Sequence, residues 1–180
     1  EIEENAGQFD TDEKIFWASG ACFFIRLQEF RSLGGFDANF FAHQEEIDLC
    51  WRAFNEGFET MSISASKVYH LGGGTLRPSY RKTLLNFRNS LFLLYKNLPE
   101  KVFFIMFERM IWDGVAIFYF LIKLDFRSAF AVLNAHFSFY FHLFTKKIIR
   151  KKNVKNKKYF KIKNLPIQHF IYNKSKFLQL

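Results

Sequence analysis

Glu45-Glu-Ile-Asp-Leu-Cys-Trp-Arg-Ala-Phe-Asn-Glu-Gly57 is the stretch on which the reading of this chain turns. Ile47, Cys50, Trp51 and Phe54 recur at i, i+3, i+4 and i+7, the one-sided spacing of an amphipathic helix. Gly57 stands where a helix-ending C′ residue belongs. Glu45, Glu46 and Asp48 crowd the first turn, where the helix dipole favours negative charge. The spacing predicts a helix over 45–56.

On the N-terminal side, residues 1–14 are polar and acidic and read as a loop. The aromatic run Ile15-Phe-Trp-Ala-Ser-Gly-Ala-Cys-Phe-Phe-Ile25 predicts a bend at Ser19-Gly20 and a short buried strand over 22–25. A short helix over 27–33 is expected to stop at Gly34-Gly35. On the C-terminal side, Met61, Ile63 and Ala65 alternate with serines as in a half-buried strand, which Val68-Tyr-His70 continues or follows with another. Leu71-Gly-Gly-Gly-Thr75 reads as a flexible loop. An amphipathic helix is expected over 80–97, with Leu84, Phe87, Leu91, Leu94 and Tyr95 along one side and Pro99 ending it.

The 180 residues suit one ordinary domain, and 49% hydrophobic with 20% aromatic content excludes a disordered chain. Only 3 Pro and 9 Gly exclude collagen-like or linker-like character, and 26 Phe is far above ordinary usage. Cys22 and Cys50 match no metal or redox spacing, so no disulfide framework is implied and a reducing compartment is expected. No signal peptide is visible, and a chain opening on Glu1 rather than Met is expected to lack upstream residues.

The net charge of +9 is unevenly placed. Residues 1–100 hold 10 basic and 14 acidic side chains, whereas 101–180 hold 16 basic and 3 acidic. A bilayer-spanning helix takes about 20 mostly apolar residues. Residues 114–122 give nine uncharged positions, and 128–145 give 18 that include Asn134, His136 and His142. Both suit amphipathic helices lying in a membrane interface. The ten Lys and Arg of 146–163 then read as an anionic-lipid-binding cluster, or alternatively as a solvated tail. Nucleic-acid binding is disfavoured, because the Phe residues sit in blocks and are not interleaved with Lys.

Taken in order, Phe16-Trp-Ala-Ser-Gly-Ala-Cys22, Leu33-Gly-Gly-Phe-Asp37, Phe40-Phe41, Glu45-Glu-Ile-Asp-Leu-Cys-Trp-Arg52 and Val68-Tyr-His-Leu-Gly-Gly-Gly-Thr75 resemble one family. They look like the C-terminal, acceptor-side part of the catalytic domain of family 2 inverting glycosyltransferases, of bacterial rhamnosyltransferase-like type. The resemblance covers residues 7–100. It implies an α/β chain of GT-A fold, with 1–100 as the acceptor-side part. Residues 101–145 would be an aromatic-rich helical, membrane-interface segment, and 146–180 a basic tail. It also implies a peripheral enzyme on the cytoplasmic face of the bacterial inner membrane. The donor is a nucleotide-sugar, and the acceptor a cell-envelope polysaccharide or lipid-linked glycan.

An inverting transfer needs a base at the acceptor hydroxyl and positive charge at the departing diphosphate. The resemblance assigns the base to Glu46, where the family carries Asp, with Glu45 as the neighbouring candidate. The bland alternative makes both acids partners of the helix dipole. Asp48 and Arg52 form an i,i+4 pair; Arg52 is read as structural and Asp48 is left as a candidate acceptor contact. Trp17, Ser19, Gly20 and Ala21 match the acceptor-lining segment, with Trp17 either stacking on a sugar or packing in the core. His70 is a candidate ligand for Mn²⁺ or Mg²⁺, most of whose ligands belong to a preceding half, or else a structural histidine. Arg77 is a candidate phosphate contact. Asp10-Thr-Asp12 spells the family's metal motif but follows no apolar strand and is rejected. Because residues 1–14 hold no nucleotide-binding unit, these 180 residues alone are expected to be inactive. The competing reading is a non-catalytic membrane-surface or partner-binding module.

Overall fold

A computed structural model describes residues 7–70 and 79–145, together with Arg150 and Tyr172. The elements in chain order are β1 (Glu13–Ile15), α1 (Leu27–Ser32), α2 (Glu45–Asn55), β2 (Thr60–Ser62), α3 (Tyr80–Asn97), α4 (Val102–Ile122) and α5 (Phe126–Thr145). The two strands pair antiparallel, Lys14 opposite Met61, in a two-stranded sheet.

Local chemistry sets the helix ends. Gly34 and Gly35 adopt φ of 87° and 67°, and the Gly35 N–H returns to the Phe30 carbonyl at 2.9 Å, closing α1. Gly57, at φ 89°, ends α2 the same way, with the Phe58 N–H on the Ala53 carbonyl at 3.0 Å. Ser79 caps α3 by accepting from the Lys82 N–H. A short connection joins α4 to α5, and Asp125 Oδ1 accepts from the Ser128 N–H at 3.0 Å to start the second helix.

The layer is built around α3, which packs against α2, α4 and, most extensively, α5. Its core joins Phe40, Trp51, Leu91, Phe92, Leu93, Leu98 and Phe139. Because three helices surround its C-terminal half, α3 buries Leu91, Phe92 and Leu93 in succession. The expected one-sided stripe is thus replaced by burial on more than one face; Leu84, Phe87, Leu94 and Tyr95 are only partly buried. On α5, Ala129, Ala131, Val132, Ala135 and Phe139 are buried, so one face of this helix is covered by protein and not by solvent or lipid.

Three strand expectations are corrected. Residues 22–25 form no strand: Cys22 is exposed and Phe24 is 93% exposed, and among the described residues β1 and β2 pair with each other and with no third strand. The alternating segment contributes only Thr60–Ser62 to the sheet, with Met61 and Ile63 largely exposed, and a turn follows at Ser66. Val68, Tyr69 and His70 are irregular and exposed. Conversely, β1 begins inside the segment read as loop. The glycine loop Gly72-Gly-Gly74 and the basic cluster apart from Arg150 lie outside the described residues.

The two thiols make this testable. Cys22 is exposed, whereas Cys50 is buried in α2. Burial pushes the Cys50 thiol up from its ordinary value and the Glu46 carboxylate adds to the rise, against the Ala18 N–H and Arg52. Thiolate is the reactive form. Native protein is therefore expected to titrate one thiol rapidly with Ellman's reagent, and the second only in denaturant. Slow reaction of both thiols would restore a buried strand at 22–25.

Candidate active site

The N-terminus of α2 is prepared by a strained approach. Phe41, His43 and Gln44 all hold left-handed φ, of 64°, 68° and 71°. For non-glycine residues such backbone costs on the order of 1–2 kcal/mol each and persists only where surroundings enforce it. The enforcement comes from α3. Asn89, fully buried, donates from Nδ2 to the carbonyls of Phe40, Ala42 and His43 at 2.9, 2.8 and 2.7 Å. Its Oδ1 accepts from Arg88 Nε and Nη2, and Arg88 Nη2 also donates to the Asn39 and Phe40 carbonyls. Gln44 Nε2 donates back to the Asn86 carbonyl and Ser90 Oγ.

From this turn the chain enters α2 with Glu45 and Glu46 in its first turn. Adjacent helical side chains diverge by about 100°, and the two carboxylates meet different surroundings. Glu45 Oε2 is shielded from solvent without a donor. Glu46 lies against the predicted bend: a Cβ built on Gly20 would stand 3.5 Å from Glu46 Cδ. Among the described residues no hydrogen bond or ion pair holds the Glu46 carboxylate. The bend is a serine turn, with the Ala21 N–H on Ser19 Oγ at 3.2 Å and the Cys22 N–H on the Ser19 carbonyl at 3.3 Å. Phe16 anchors it edge-on to Trp51 and Phe54. Trp17 is 43% exposed, so Phe16 takes the core-packing place and the Trp17 indole stays at the surface.

Asp48 is corrected as an acceptor contact. It is fully buried and its oxygens are taken: Oδ1 by Asn97 Nδ2 at 2.8 Å, Oδ2 by Arg52 Nε at 2.8 Å and Lys96 Nζ at 2.9 Å. Arg52 also donates to the Leu33 and Gly35 carbonyls, and Lys96 to Asp37 Oδ2 at 2.7 Å. Burial alone would raise the Asp37 carboxyl, but hydrogen bonds from Lys96 and Asn39 and the Lys96 charge hold it below its ordinary value. This network fastens α2 to α3 and to the turn that ends α1.

His70 is exposed on an irregular segment, and no group of three or more His, Cys, Asp or Glu able to hold a metal occurs among the described residues. The residues described here therefore do not fit a divalent-metal site, and Arg77 lies outside them. Asp12 of the rejected motif is occupied too, accepting from the Ser64 N–H and Oγ at 2.8 and 2.9 Å. A groove of about 580 Å³ is lined by Ser19, Cys22, Phe24, Leu49, Cys50 and Ile63 among others, and by neither Glu45 nor Glu46. The Ser19–Cys22 turn thus meets that groove through Ser19 and Cys22, and Glu46 through Gly20.

Sequence reasoning missed Arg88, Asn89, Lys96 and Asn97. One signal was present: Asn89 follows Leu85 by four and precedes Phe92 by three, so a polar residue interrupts a buried stripe. An amide there demands partners.

No protein-family model and no solved structure matches the chain. Over 60 residues it is 30% identical to the N-acetylglucosaminyl-diphospho-decaprenol L-rhamnosyltransferase of Mycobacterium tuberculosis, in strains CDC 1551 / Oshkosh and ATCC 25618 / H37Rv. The matched segment is 33% of this chain and 20% of the relative, so the chain spans about a fifth of the length of the curated relatives it matches. Over that third of its length, the chain is similar to a glycosyltransferase.

Proposed function

We propose that this chain is the acceptor-side part of an inverting glycosyltransferase of GT-A fold, moving a sugar from a nucleotide-sugar to a lipid-linked or cell-envelope glycan. The observation that carries the reading is the Glu46 carboxylate. It is unengaged among the described residues, stands at a helix N-terminus against the Ser19-Gly20 turn, and is reached through a strained, clamped loop. In this reading Glu46 takes the proton from the acceptor hydroxyl as its oxygen forms the new glycosidic bond, while the anomeric C–O bond to the donor's diphosphate breaks and the nucleoside diphosphate leaves with the electron pair. Exposed Trp17 offers an aromatic face to a sugar ring. The similarity to an enzyme that rhamnosylates a diphospho-decaprenol glycan supports the same class of acceptor. The test is transfer of labelled sugar from a nucleotide-sugar to a lipid-linked glycan by the full-length polypeptide. Absence of transfer across donors and acceptors of these classes overturns the reading.

A membrane surface belongs to this proposal. Phe104, Phe107, Ile111, Val115, Phe118 and Ile122 form one stripe along α4, each more than half exposed. Phe126, Phe130, Phe137 and Phe141 form another on α5. Aromatic stripes followed in sequence by a strongly basic segment suit an anionic lipid interface. No described helix is long and apolar enough to cross a membrane. Sedimentation with phosphatidylglycerol vesicles is expected to weaken when Phe107 and Phe118 are both replaced by Ser, even at low salt. Binding that is unchanged by this double replacement but lost in high salt would assign the attraction to the basic residues alone.

A further inference from the structure

The loop that delivers the candidate base is tied to its own helix through the Asp48 N–H on the Gln44 carbonyl at 2.9 Å, at its last residue. Its conformation is dictated from α3, 46 to 49 residues away in sequence, by one side chain that reaches three carbonyls. We propose that Asn89 is the positioning residue of Glu46: it holds the 40–44 turn in its left-handed form, and so sets where α2 begins and where the Glu46 carboxylate points. This rests on the transferase reading for its catalytic consequence, though not for its structural one.

The chemistry at this position is narrow. Two N–H bonds on Nδ2 are shared among three carbonyl oxygens at 2.7–2.9 Å, a cradle that a donor-only group fills. The remaining Oδ1 is spoken for by Arg88, so the amide is oriented by the guanidinium beside it. Burial pulls the Arg88 guanidinium below its ordinary value, yet it stays a cation and an acceptor-free donor. An aspartate at 89 would keep the size and the Arg88 contact but face three carbonyl oxygens with a carboxylate. The left-handed residues at 41, 43 and 44 would then lose what holds them, and the turn would relax toward ordinary backbone. Gln44 adds a second tie to α3, through Asn86 and Ser90, but reaches only the end of the turn.

The test uses the full-length polypeptide with Asn89→Asp, Asn89→Ser and, as a comparison of similar burial away from the turn, Val132→Ala on α5. Hydrogen exchange by mass spectrometry is read on peptides covering 38–47 and on peptides from α4 and α5. Sugar transfer is read as kcat and as KM for the nucleotide-sugar. Both Asn89 variants are expected to raise exchange at 38–47 by roughly tenfold or more while α4 and α5 stay near wild type. They are expected to lower kcat by about 100-fold with little change in KM, the signature of a displaced catalytic group. Val132→Ala is expected to lower the melting temperature without moving kcat. Exchange at 38–47 equal to wild type overturns the proposal, as does a rise spread evenly over all helices or a kcat loss that Val132→Ala reproduces. If Asn89→Asp fails to fold, Asn89→Ser carries the same readings. If wild-type protein transfers no sugar, the transferase reading falls, and the exchange pattern alone still decides whether Asn89 holds the turn.

Discussion

Asp48→Ala is expected to cost about 3 kcal/mol or more of folding free energy, the range found when one partner of a buried ion pair is removed. The physical reason is what it leaves behind. Lys96 and Arg52 have only 13% and 14% of their side-chain surface exposed, and Asp48 has none. Removing the carboxylate leaves Asn97 Nδ2 with only its 3.2 Å bond to the Leu93 carbonyl and takes from each cation its closest buried counter-charge. Two partial compensations place the effect toward the lower end: Lys96 keeps Asp37, and Arg52 keeps the Leu33 and Gly35 carbonyls. Even so, the loss is a large fraction of the roughly 5–15 kcal/mol that holds an ordinary domain. Urea unfolding is expected to show a lower midpoint with unchanged slope. Asp48→Asn keeps the shape and one acceptor oxygen, but no charge to oppose two cations, and should fall between wild type and Asp48→Ala. A cost below about 1 kcal/mol for Asp48→Ala would mean that water screens the network as it screens a surface pair.

That network also marks the boundary of what sequence reading reached. The extents of α1, α2 and α3 were legible because their ends are local: Gly34-Gly35, Gly57 and Pro99 each act on neighbours within a few residues. The pairing of Asp48 with Arg52 was legible for the same reason, since it spans one helical turn. Lys96 and Asn97 were not, being 48 and 49 residues from Asp48, and no spacing rule joins them. The Asn89 clamp was hidden likewise, although a polar residue on a buried stripe hinted at it. The run over 22–25 failed for a different reason. Its apolar, β-prone residues specify a strand only where another strand pairs with them, and among the described residues none does. On α5 the uncharged run over 128–145 suggests an amphipathic helix, but composition does not tell what covers its apolar face. Phe139 turned out to face Phe92 and Tyr95 of α3, while Phe130, Phe137 and Phe141 stayed exposed.

Glu46→Gln should lower turnover by about 10²–10⁴-fold, the contribution usual for a positioned general base. The substitution keeps the length of the side chain and its place beside Gly20 while removing the ability to take a proton. Donor KM is expected to stay close to wild type, since the base acts on the acceptor hydroxyl. Glu45→Gln is expected to lose far less, because its side chain leaves the helix about 100° away and one of its oxygens is already shut off from solvent. The competing view of both residues as helix-dipole partners makes a different forecast. Each Gln variant would then cost about 0.3–1 kcal/mol of stability, nearly equally, and leave turnover intact. The pair of variants therefore separates the two views without reference to any other residue. A large kcat loss confined to position 46, with melting temperature nearly unchanged, requires chemistry there. Equal small stability losses with full activity would return both carboxylates to the role of capping charges and move the base elsewhere. If instead Glu45→Gln carried the larger kcat loss, the first acid of the pair would be the base. The contact of Glu46 with Gly20 would then be packing alone.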